Sequence, residues 1–322
     1  MLKLLLNFKW CYLVTVIFFC HAQSFAQLTY NELSVQYDSP WTYKKLQLIP
    51  VRFKNAGGDS GYANKQMFNG KITSFDDAMR RRKIIVKEMS EGGADVSTLM
   101  IKNRSNENIM LMSGEMVQGG KQDRAFGETA IIPKGRRKNY VQVFCVEKGR
   151  WDNKAKSFRH AGTADAGVRK QIDVSKRQSK VWKQIDSELS EKNKKNQTSA
   201  YLKAYNDSTY FDTSYLHYFI EKMKSSDSAY GGFIAITGNR IIRADIFGGT
   251  DLCLAAYIEN IKSYVHTLKP ADGIPSKPKE AIKGFTDKFL KDKTTQKQYL
   301  AKNGRIYYND GVIIQLVAYD DE

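Results

Sequence analysis

The stretch 109–151 combines glycines and charged side chains in a way that could form a binding site. An apolar strand is predicted to end at Ser113-Gly114-Glu115, and the loop Gln118-Gly-Gly-Lys-Gln-Asp-Arg124 then places five polar side chains within seven residues. Glycines allow a backbone to approach a ligand closely, and loops at strand ends are where rigid scaffolds commonly present functional groups. The predicted ligand-binding residues are Lys121, Gln122, Asp123, Arg124, Arg150 and Trp151.

The cations of this stretch favour an anionic ligand. Lys121, Arg124 and Arg150 could hold a phosphate or a carboxylate, and arginine can contact either group in a bidentate manner. Together with the basic balance of the chain, they indicate an exported, non-catalytic protein that binds an anionic small molecule, such as a nucleotide-like or sugar-phosphate group. The sequence identifies no cofactor.

Two carboxylates, Glu115 and Glu147, are the candidate catalytic residues. They could bind a cation, orient a basic residue, or act as acid and base if their environments separate their pKa values. In this alternative the protein is a hydrolase, and Lys121 or Arg124 stabilises a developing negative charge. It requires both carboxylates to converge on one cleft with room for a substrate.

A purely structural interpretation accounts for the same residues. Ion pairs between Glu115 and Lys121 and between Glu147 and Arg124 could fix a hairpin, and Gly119-Gly120 could be only a turn. On this interpretation the stretch positions strands and binds nothing.

Cysteine and histidine chemistry is disfavoured. Cys145 lies between Phe144 and Val146 in an alternating pattern typical of a buried strand, which favours a core thiol over a nucleophile paired with His160 or His217. Those histidines show no metal-ligand spacing, and no Cys-x-x-Cys occurs, so the sequence predicts no metal site.

The composition limits the class of protein. The chain has 322 residues, 42% of them hydrophobic, and a net charge of +17. This composition excludes a disordered chain, and the charge suggests anionic partners. No recognised nucleic-acid motif accompanies the charge, so a nucleic-acid partner is not expected. A further alternative is a cell-envelope scaffold that binds acidic polymers or lipid headgroups through 134–138 and the basic helical segment 169–183.

Residues 1–26 are predicted to be a secretory signal peptide. Two lysines precede the almost wholly apolar run Cys11–Cys20, and small residues allow cleavage near Ala26. The run is too short to span a bilayer comfortably. We therefore expect a secreted or periplasmic protein without a transmembrane span after cleavage. Cys145 and Cys253 then remain, either as a disulfide or as two buried thiols.

The part 27–151 is predicted to be rich in β-strands. Apolar and polar residues alternate over 46–53, 99–103, 109–112 and 140–146, as expected for strands with one buried face.

One short helix is predicted between these strands. Ser74 is a plausible N-cap, Asp76 and Asp77 lie in the first turn, and the basic residues 80–83 lie in the last. This distribution of charge suits the helix dipole.

The part 152–322 begins with a change of pattern. The segment 152–167 lacks apolar periodicity and is predicted to be a long loop, after which 168–195 is predicted to form a basic helix. The residues near its apolar face are Val168, Ile172, Trp182, Ile185 and Leu189.

Hairpins and helices are predicted for the remainder. A hairpin over 232–247 turns at Gly238-Asn239, and Thr250 or Asp251 caps a helix that follows it. Another helix and a last hairpin, which turns at Asn309-Asp-Gly311, complete the chain.

The order of these elements predicts an α+β fold, with a mainly antiparallel β N-terminal part followed by a helical segment with C-terminal hairpins. There is no repeated βαβ order. The parts 27–151 and 152–322 are expected to pack together as one domain.

The stretch 113–151 also resembles the ARG- and rhodanese-phosphatase-superfamily-associated protein domain family. Members of this family show a run like L-D-G-E-E-L-x-G-A-K-Q-N-R, then an apolar strand with a proline, then C-V-E-x-G-R-W. The name of the family implies gene neighbourhoods shared with ADP-ribosylglycohydrolases and rhodanese-like phosphatases, and so hints at nucleotide or ADP-ribose ligands. The matching residues are Gly114, Glu115, Gly119, Lys121, Gln122, Arg124, Pro133, Cys145, Val146, Glu147, Gly149, Arg150 and Trp151.

Overall fold

The computed structural model describes residues 28–54, 71–89, 97–150, 157–205, 211–226 and 229–321. The predicted signal peptide, 1–26, lies outside the described residues, and so does Trp151.

A seven-stranded antiparallel sheet forms the largest layer of the protein. In spatial order its strands are β1 (Leu33–Val35), β3 (Leu46–Phe53), β13 (Tyr230–Thr237), β14 (Arg240–Phe247), β16 (Val312–Ala318) and β15 (Gly304–Asn309), and β2 (Trp41–Tyr43) pairs with β3. Strand β3 therefore brings the N-terminal part of the chain into register with the C-terminal part, since Phe233 of β13 faces Pro50 of β3.

Two smaller sheets carry the rest of the N-terminal part. One contains β10 (Ala130–Ile132), β7 (Asn108–Leu111) and β4 (Ile72–Ser74), and its β4–β7 pair is parallel. The other contains, in spatial order, β12 (Arg159–Thr163), β8 (Glu115–Gln118), β9 (Arg124–Phe126), β11 (Lys138–Cys145), β6 (Thr98–Asn103) and β5 (Ile84–Glu88).

Helices cover these sheets. They are α1 (Phe75–Arg80), α2 (Ala166–Lys170), α3 (Gln178–Glu191), α4 (Tyr201–Tyr205), α5 (Ser214–Lys224), α6 (Thr250–Thr267), α7 (Lys279–Leu290) and α8 (Lys293–Asn303). A π-helical turn, Gln171–Ser175, follows α2 directly. No helix among the described residues is both long and apolar enough to cross a membrane.

Helix α6 lies between the large sheet and the smaller ones. It contacts β13 and β14 as well as β4, β7 and β12. Its residues Leu252 and Ile261 share one apolar core with Phe247 of the large sheet. Helices α7 and α8 pack in a separate core, to which Ile234 and Ile236 of β13 belong. The alternate residues of the same strand, Phe233 and Ala235, belong to the first core. Alternation along β13 thus buries both faces of the sheet.

Most of the predicted elements are present, and the α+β class is confirmed. The hairpin β13–β14 turns at Gly238-Asn239, and the last hairpin turns at Asp310 and Gly311, which both have positive φ as a tight hairpin turn requires. Ser74 caps α1 as predicted, because its hydroxyl accepts a hydrogen bond from the backbone N–H of Asp77.

The prediction of a long loop over 152–167 was wrong for its second half. Residues Arg159–Thr163 form β12, which pairs with β8 at the edge of the six-stranded sheet. The register shifts between His160 and Thr163, and Gly162 has a φ of 93°. This irregularity removes the alternation of apolar and polar residues by which a strand is recognised in a sequence.

The predicted basic helix over 168–195 is interrupted. Lys176 adopts a left-handed conformation with a φ of 51° and ends the π-helical turn before α3 begins. The predicted apolar positions face the core, with Trp182 only half-buried. The basic residues of the segment are expected on the solvated faces of the helix, but Arg169 is completely buried.

Helix α6 also departs from its prediction at two points. Its N-cap is Gly249, not Thr250 or Asp251, and no side chain caps it. The periodicity of the sequence predicts an apolar face formed by Leu254, Tyr257, Ile258, Ile261, Val265 and Leu268. Tyr257 is buried, whereas Leu254 and Ile258 are 48% and 44% exposed.

A buried ionic network connects the layers. Arg169 of α2 and Arg243 of β14, both 0% exposed, each donate a hydrogen bond to Oδ1 of Asn260 on α6. Arg243 Nε also donates to Asp245 at 2.6 Å, and the hydroxyl of Tyr264 donates to the same carboxylate oxygen. The network thereby fixes α6 against the large sheet and α2 against α6.

Removal of the Asp245 charge should destabilise the whole fold. In Asp245→Asn the two arginines lose a carboxylate in an environment without solvent, and the expected loss is roughly 3–5 kcal/mol of unfolding free energy. Urea denaturation followed by circular dichroism measures this loss. The matched control is Asp310→Asn in the exposed turn of the last hairpin, which we expect to change stability by less than about 0.5 kcal/mol. An equal effect of both changes would contradict the role of the network.

His266 near the end of α6 should make the fold sensitive to acid. Burial lowers its pKa to about 3, assisted by Lys192 and Lys262, and its ring stacks on Tyr205 at 3.7 Å between centroids. The folded state therefore holds the imidazole neutral, so its contribution to stability is complete above pH 6.5 and falls as the pH approaches 3. At pH 5 we expect a loss on the order of 1–2 kcal/mol relative to pH 7.

The variant His266→Phe isolates this effect, because phenylalanine keeps an aromatic ring in place and cannot take up a proton. Its unfolding free energy should depend less on pH between 7 and 5 than that of the wild type. Identical pH profiles, measured by urea titration, would show that His266 is not the source.

Candidate functional site

Arg150 joins the two turns of the predicted binding stretch. Its Nε donates to Glu147 at 2.6 Å, its Nη2 donates to Asp123 at 3.0 Å, and its Nη1 donates to the carbonyl of Gly120 at 2.9 Å. Glu147 and Asp123 are only 3% and 1% exposed. The two turns therefore lie close together in the structure. Their charged side chains, however, bind one another.

Arg124 is also held internally. Its side chain is 2% exposed, and Nη1 donates to Gln122 Oε1 at 2.7 Å and to the Cys145 sulfur at 2.9 Å. Nη2 lies 3.9 Å from Glu88. The ion pairs considered for a structural role, Glu115–Lys121 and Glu147–Arg124, are not those that form; Arg150 and Glu88 take the partner positions instead.

The glycines of the loop serve close backbone packing. A Cβ atom on Gly119 would lie 2.6 Å from the carbonyl oxygen of Ser157, and one on Gly120 would lie 2.6 Å from the ring of Phe158. Both have positive φ, at 141° and 56°. The glycine pair therefore lets the loop lie against the segment that leads into β12.

The remaining cations of this region point to solvent or are half-buried. The Lys121 side chain is half-buried and makes no ion pair with a described residue, while its backbone N–H donates to Glu88 at 2.8 Å. Residues 134–138, proposed to contact acidic polymers, are exposed.

Glu115 and Glu147 do not share a site. Glu147 contacts Arg150 and Thr198, whereas Glu115 accepts a hydrogen bond from the Met112 backbone at 2.6 Å and faces His160. The pair does not converge on one cleft, and so lacks the arrangement that the predicted hydrolase requires.

Glu115 instead belongs to a second group of titratable side chains, which we call the His160 cluster: Asp76, Glu115, His160 and Glu259. Nδ1 of His160 lies 3.1 Å from Asp76 Oδ1, and its Nε2 lies 3.4 Å from Glu115 Oε1 and 3.7 Å from Glu259 Oε2. Glu259 Oε2 accepts from Thr163, and its Oε1 pairs with Lys262 at 2.5 Å.

Four elements position this cluster. Asp76 comes from the first turn of α1, Glu115 from the start of β8, His160 from β12 and Glu259 from α6. The pairing of Thr163 with Glu115 in the β8–β12 ladder sets the edge of the sheet against α6. The cluster therefore forms only when helices from both parts of the chain pack on that edge.

The members of the cluster have strongly different acidities. Contact with His160 lowers the pKa of Asp76 to about 2, while burial raises the pKa of Glu115. Burial by itself would lower the pKa of His160, but Asp76, Glu115 and Glu259 outweigh it and raise that pKa to about 10. The carboxylates around the imidazole therefore favour a positive charge at this position.

A cleft between α1 and α6 reaches this cluster. Its volume is about 520 Å³, and both Asp76 and Glu259 line it. The partly exposed side chains of Leu254 and Ile258 line it from α6, which accounts for an apolar helix face that is not covered by protein.

Sequence reasoning placed Asp76 correctly in a helix but assigned it only to the helix dipole, and it did not single out Glu259. It considered His160 as a partner of Cys145, although no contact joins the two side chains in the structure, and as a metal ligand, for which it found no suitable spacing. Of the four residues of the His160 cluster, only Glu115 was predicted from the sequence to have a functional role. The four positions are spread over 184 residues, so no local spacing connects them.

The two cysteines among the described residues are free and buried. Cys145 is 6% exposed and Cys253 is 1% exposed, so the disulfide considered from the sequence is not present. Burial raises the pKa of each thiol, which opposes a role as nucleophile.

Loss of Arg150 should cost stability because it removes the cation that pairs with the buried carboxylates of Asp123 and Glu147. We expect Arg150→Gln to lower the unfolding free energy by roughly 3–5 kcal/mol, measured by urea denaturation. Lys121→Gln, which removes a charge from the same loop without breaking an ion pair to a described residue, should change it by less than about 0.5 kcal/mol. Comparable stability of the two variants would argue that Arg150 is held for a ligand and not for the fold.

Comparison with known proteins identifies a family. The family model described as the ARG and Rhodanese-Phosphatase-superfamily-associated Protein domain matches residues 34–316, a range that includes both turns braced by Arg150 and all four members of the His160 cluster. No curated protein and no solved structure matches the chain. Because the match extends over most of the sequence, the chain belongs to the ARG and Rhodanese-Phosphatase-superfamily-associated Protein domain family.

Proposed function

We propose that this protein binds a small molecule in the cleft between α1 and α6. The observation that carries the proposal is that Asp76 and Glu259, which both contact His160, line the same cavity of about 520 Å³. A concave site of this size with a few converging polar groups is the usual form of a small-molecule site.

The walls of the cleft indicate the chemistry of the ligand. Leu254 and Ile258 offer apolar contact, since nearly half of each side chain is exposed. Asp251 also lines the cleft and makes no ion pair with a described residue. Carboxylates outnumber cations among the lining residues, so the cleft favours a positive charge, supplied either by the organic ligand or by a bound metal ion.

The loops at 113–151 support ligand binding less well. Their arginines, Arg124 and Arg150, already hold buried partners, so an anionic ligand there would have to displace internal hydrogen bonds. A small anionic molecule as ligand remains a prediction from the sequence, as does a scaffold that binds acidic polymers through the exposed residues 134–138.

Export of the protein is part of the same proposal. Its support is the sequence of residues 1–26, with a charged start, a short apolar run and small residues before the expected cleavage at Ala26. The protein would accordingly bind its ligand outside the cytoplasm, either in the periplasm or after secretion.

A thermal-shift screen with two matched variants tests the proposal. Amines, polyols, nucleosides and phosphorylated compounds are screened against the wild type, Ile258→Arg and Ile274→Arg. Both isoleucines are exposed, but only Ile258 lines the cleft. A ligand at about a hundred times its Kd should stabilise the wild type and Ile274→Arg by roughly 2.7 kcal/mol, and Ile258→Arg by less than half of that.

A compound that stabilises all three proteins equally would place its site outside the cleft and contradict the proposal, and so would a screen without any stabilising compound. The variant Lys121→Glu tests whether a compound binds at the loops of 113–151 instead. If it alone abolishes stabilisation by a phosphorylated compound, the binding site lies at 113–151 instead.

A further inference from the structure

Two buried polar atoms next to the carboxylates that line the cleft make no hydrogen bond to a described residue. They are Nε2 of His160, whose side chain is 8% exposed, and Oε1 of Glu115, which is 1% exposed. The two atoms lie 3.4 Å apart, so an ion pair is the contact between them. Unsatisfied buried atoms of this kind are costly, since each loses its hydration without gaining a protein partner.

The same place contains a set of potential metal ligands. One ligand atom from each of Asp76, His160 and Glu259 can be chosen so that all three lie within 4.8 Å of one another. Two ligand atoms bound at about 2.1 Å to a tetrahedral ion are about 3.4 Å apart, so separations of up to 4.8 Å must shorten by as much as about 1.4 Å when an ion binds. Asp76 is at the mouth of this set, with 20% of its side chain exposed, and can make that adjustment.

From this arrangement we propose that Asp76, His160 and Glu259 bind a divalent transition-metal ion, Zn²⁺ or Mn²⁺, at the floor of the α1–α6 cleft. Carboxylate oxygens and imidazole nitrogen are ligands that both ions accept. The proposal concerns the cleft of the proposed function and rests on that function for the role of the ion, although the binding of the ion itself does not require an organic ligand.

The surroundings of His160 suit a metal ligand. If Nδ1 of His160 binds the ion beside Asp76, its Nε2 faces Glu115, a carboxylate outside the ligand set. A carboxylate behind a ligating imidazole fixes the orientation of its ring and raises its basicity. Glu115 in turn is held by the Met112 backbone, so the second carboxylate has a defined position of its own.

The cleft leaves room for coordination by a ligand. Three protein ligands with the fourth position open is the pattern of sites at which an ion contacts a bound molecule, in contrast to closed structural sites. Because Asp76 and Glu259 both line the cavity, an open position of the ion would face it. An oxygen of the bound small molecule could then complete the coordination.

Titration of the metal-free protein with Zn²⁺ or Mn²⁺ alone, followed by calorimetry, tests the proposal. We expect one ion per chain with a dissociation constant in the micromolar range or below. The variant Asp76→Asn should weaken binding at least about tenfold. Asp77→Asn is the matched control, because it removes the same charge from the neighbouring position of α1, where Asp77 pairs with Arg80 and Arg81 outside the set. It should stay within about threefold of the wild type.

A second variant and a spectroscopic readout guard against loss of folding. His160→Gln keeps a polar side chain, and circular dichroism checks that each variant is folded. With Co²⁺ as a probe, the wild type should show d–d bands that are lost in His160→Gln. No binding by the wild type at micromolar concentration overturns the proposal, and so does an equal loss in Asp76→Asn and Asp77→Asn, which would indicate only general attraction to negative charge.

The two proposals about the cleft can fail separately. Metal binding is measured without an organic ligand, and the ligand screen is repeated with and without a chelator. Stabilisation by a compound that depends on Ile258 but not on added metal would leave the proposed function intact and remove the ion from it. If the protein binds metal but no compound gives a stabilisation that depends on Ile258, the metal site stands and the proposed function is contradicted.

Discussion

The fold depends on the position of one helix, α6, between two layers of β-structure, and a buried ionic interaction sets that position. Asp245 accepts from Arg243 and Tyr264, and Asn260 accepts from Arg243 and Arg169, all in the buried interior. A buried charge that loses its partner is strongly destabilising, so positions of the helix that break these contacts are unfavourable. Apolar packing alone would tolerate a rotation of α6; these directional contacts do not.

That seating has a consequence for function, because Glu259 precedes Asn260 on the same helix. When Asn260 turns toward the arginines, Glu259 turns toward the edge strand β12 and meets His160 there. The stretch 113–151 then has two tasks. Its first strand supplies Glu115 to the cluster, and its turns, joined through Arg150, hold the six-stranded sheet in the shape that presents this edge. The charged residues most visible in the sequence thus act mainly as a brace for the site.

The elements predicted with success are those whose signal is local. The hairpin turns at Gly238 and Gly311 and the cap at Ser74 follow from the conformations and hydrogen bonds that these residues allow by themselves. Strand β12 and the break at Lys176 were missed, since a bulged edge strand loses its alternation and a non-glycine residue in left-handed conformation leaves no pattern. For the site, the sequence located Glu115 but not its partners, because Asp76, His160 and Glu259 reach it from separate elements.

By itself, then, the sequence determined the family, the α+β class, the order of most strands and helices, and the segment in which polar groups concentrate. Only the tertiary structure decided which of those groups are satisfied. Nη1 of Arg124 and the guanidinium of Arg150 bind partners within the fold, whereas Nε2 of His160 and Oε1 of Glu115 lie close to the cleft and make no hydrogen bond to a described residue. Hydrogen bonding and charge compensation depend on distance in space, and the sequence specifies that distance only through the packing of every element together.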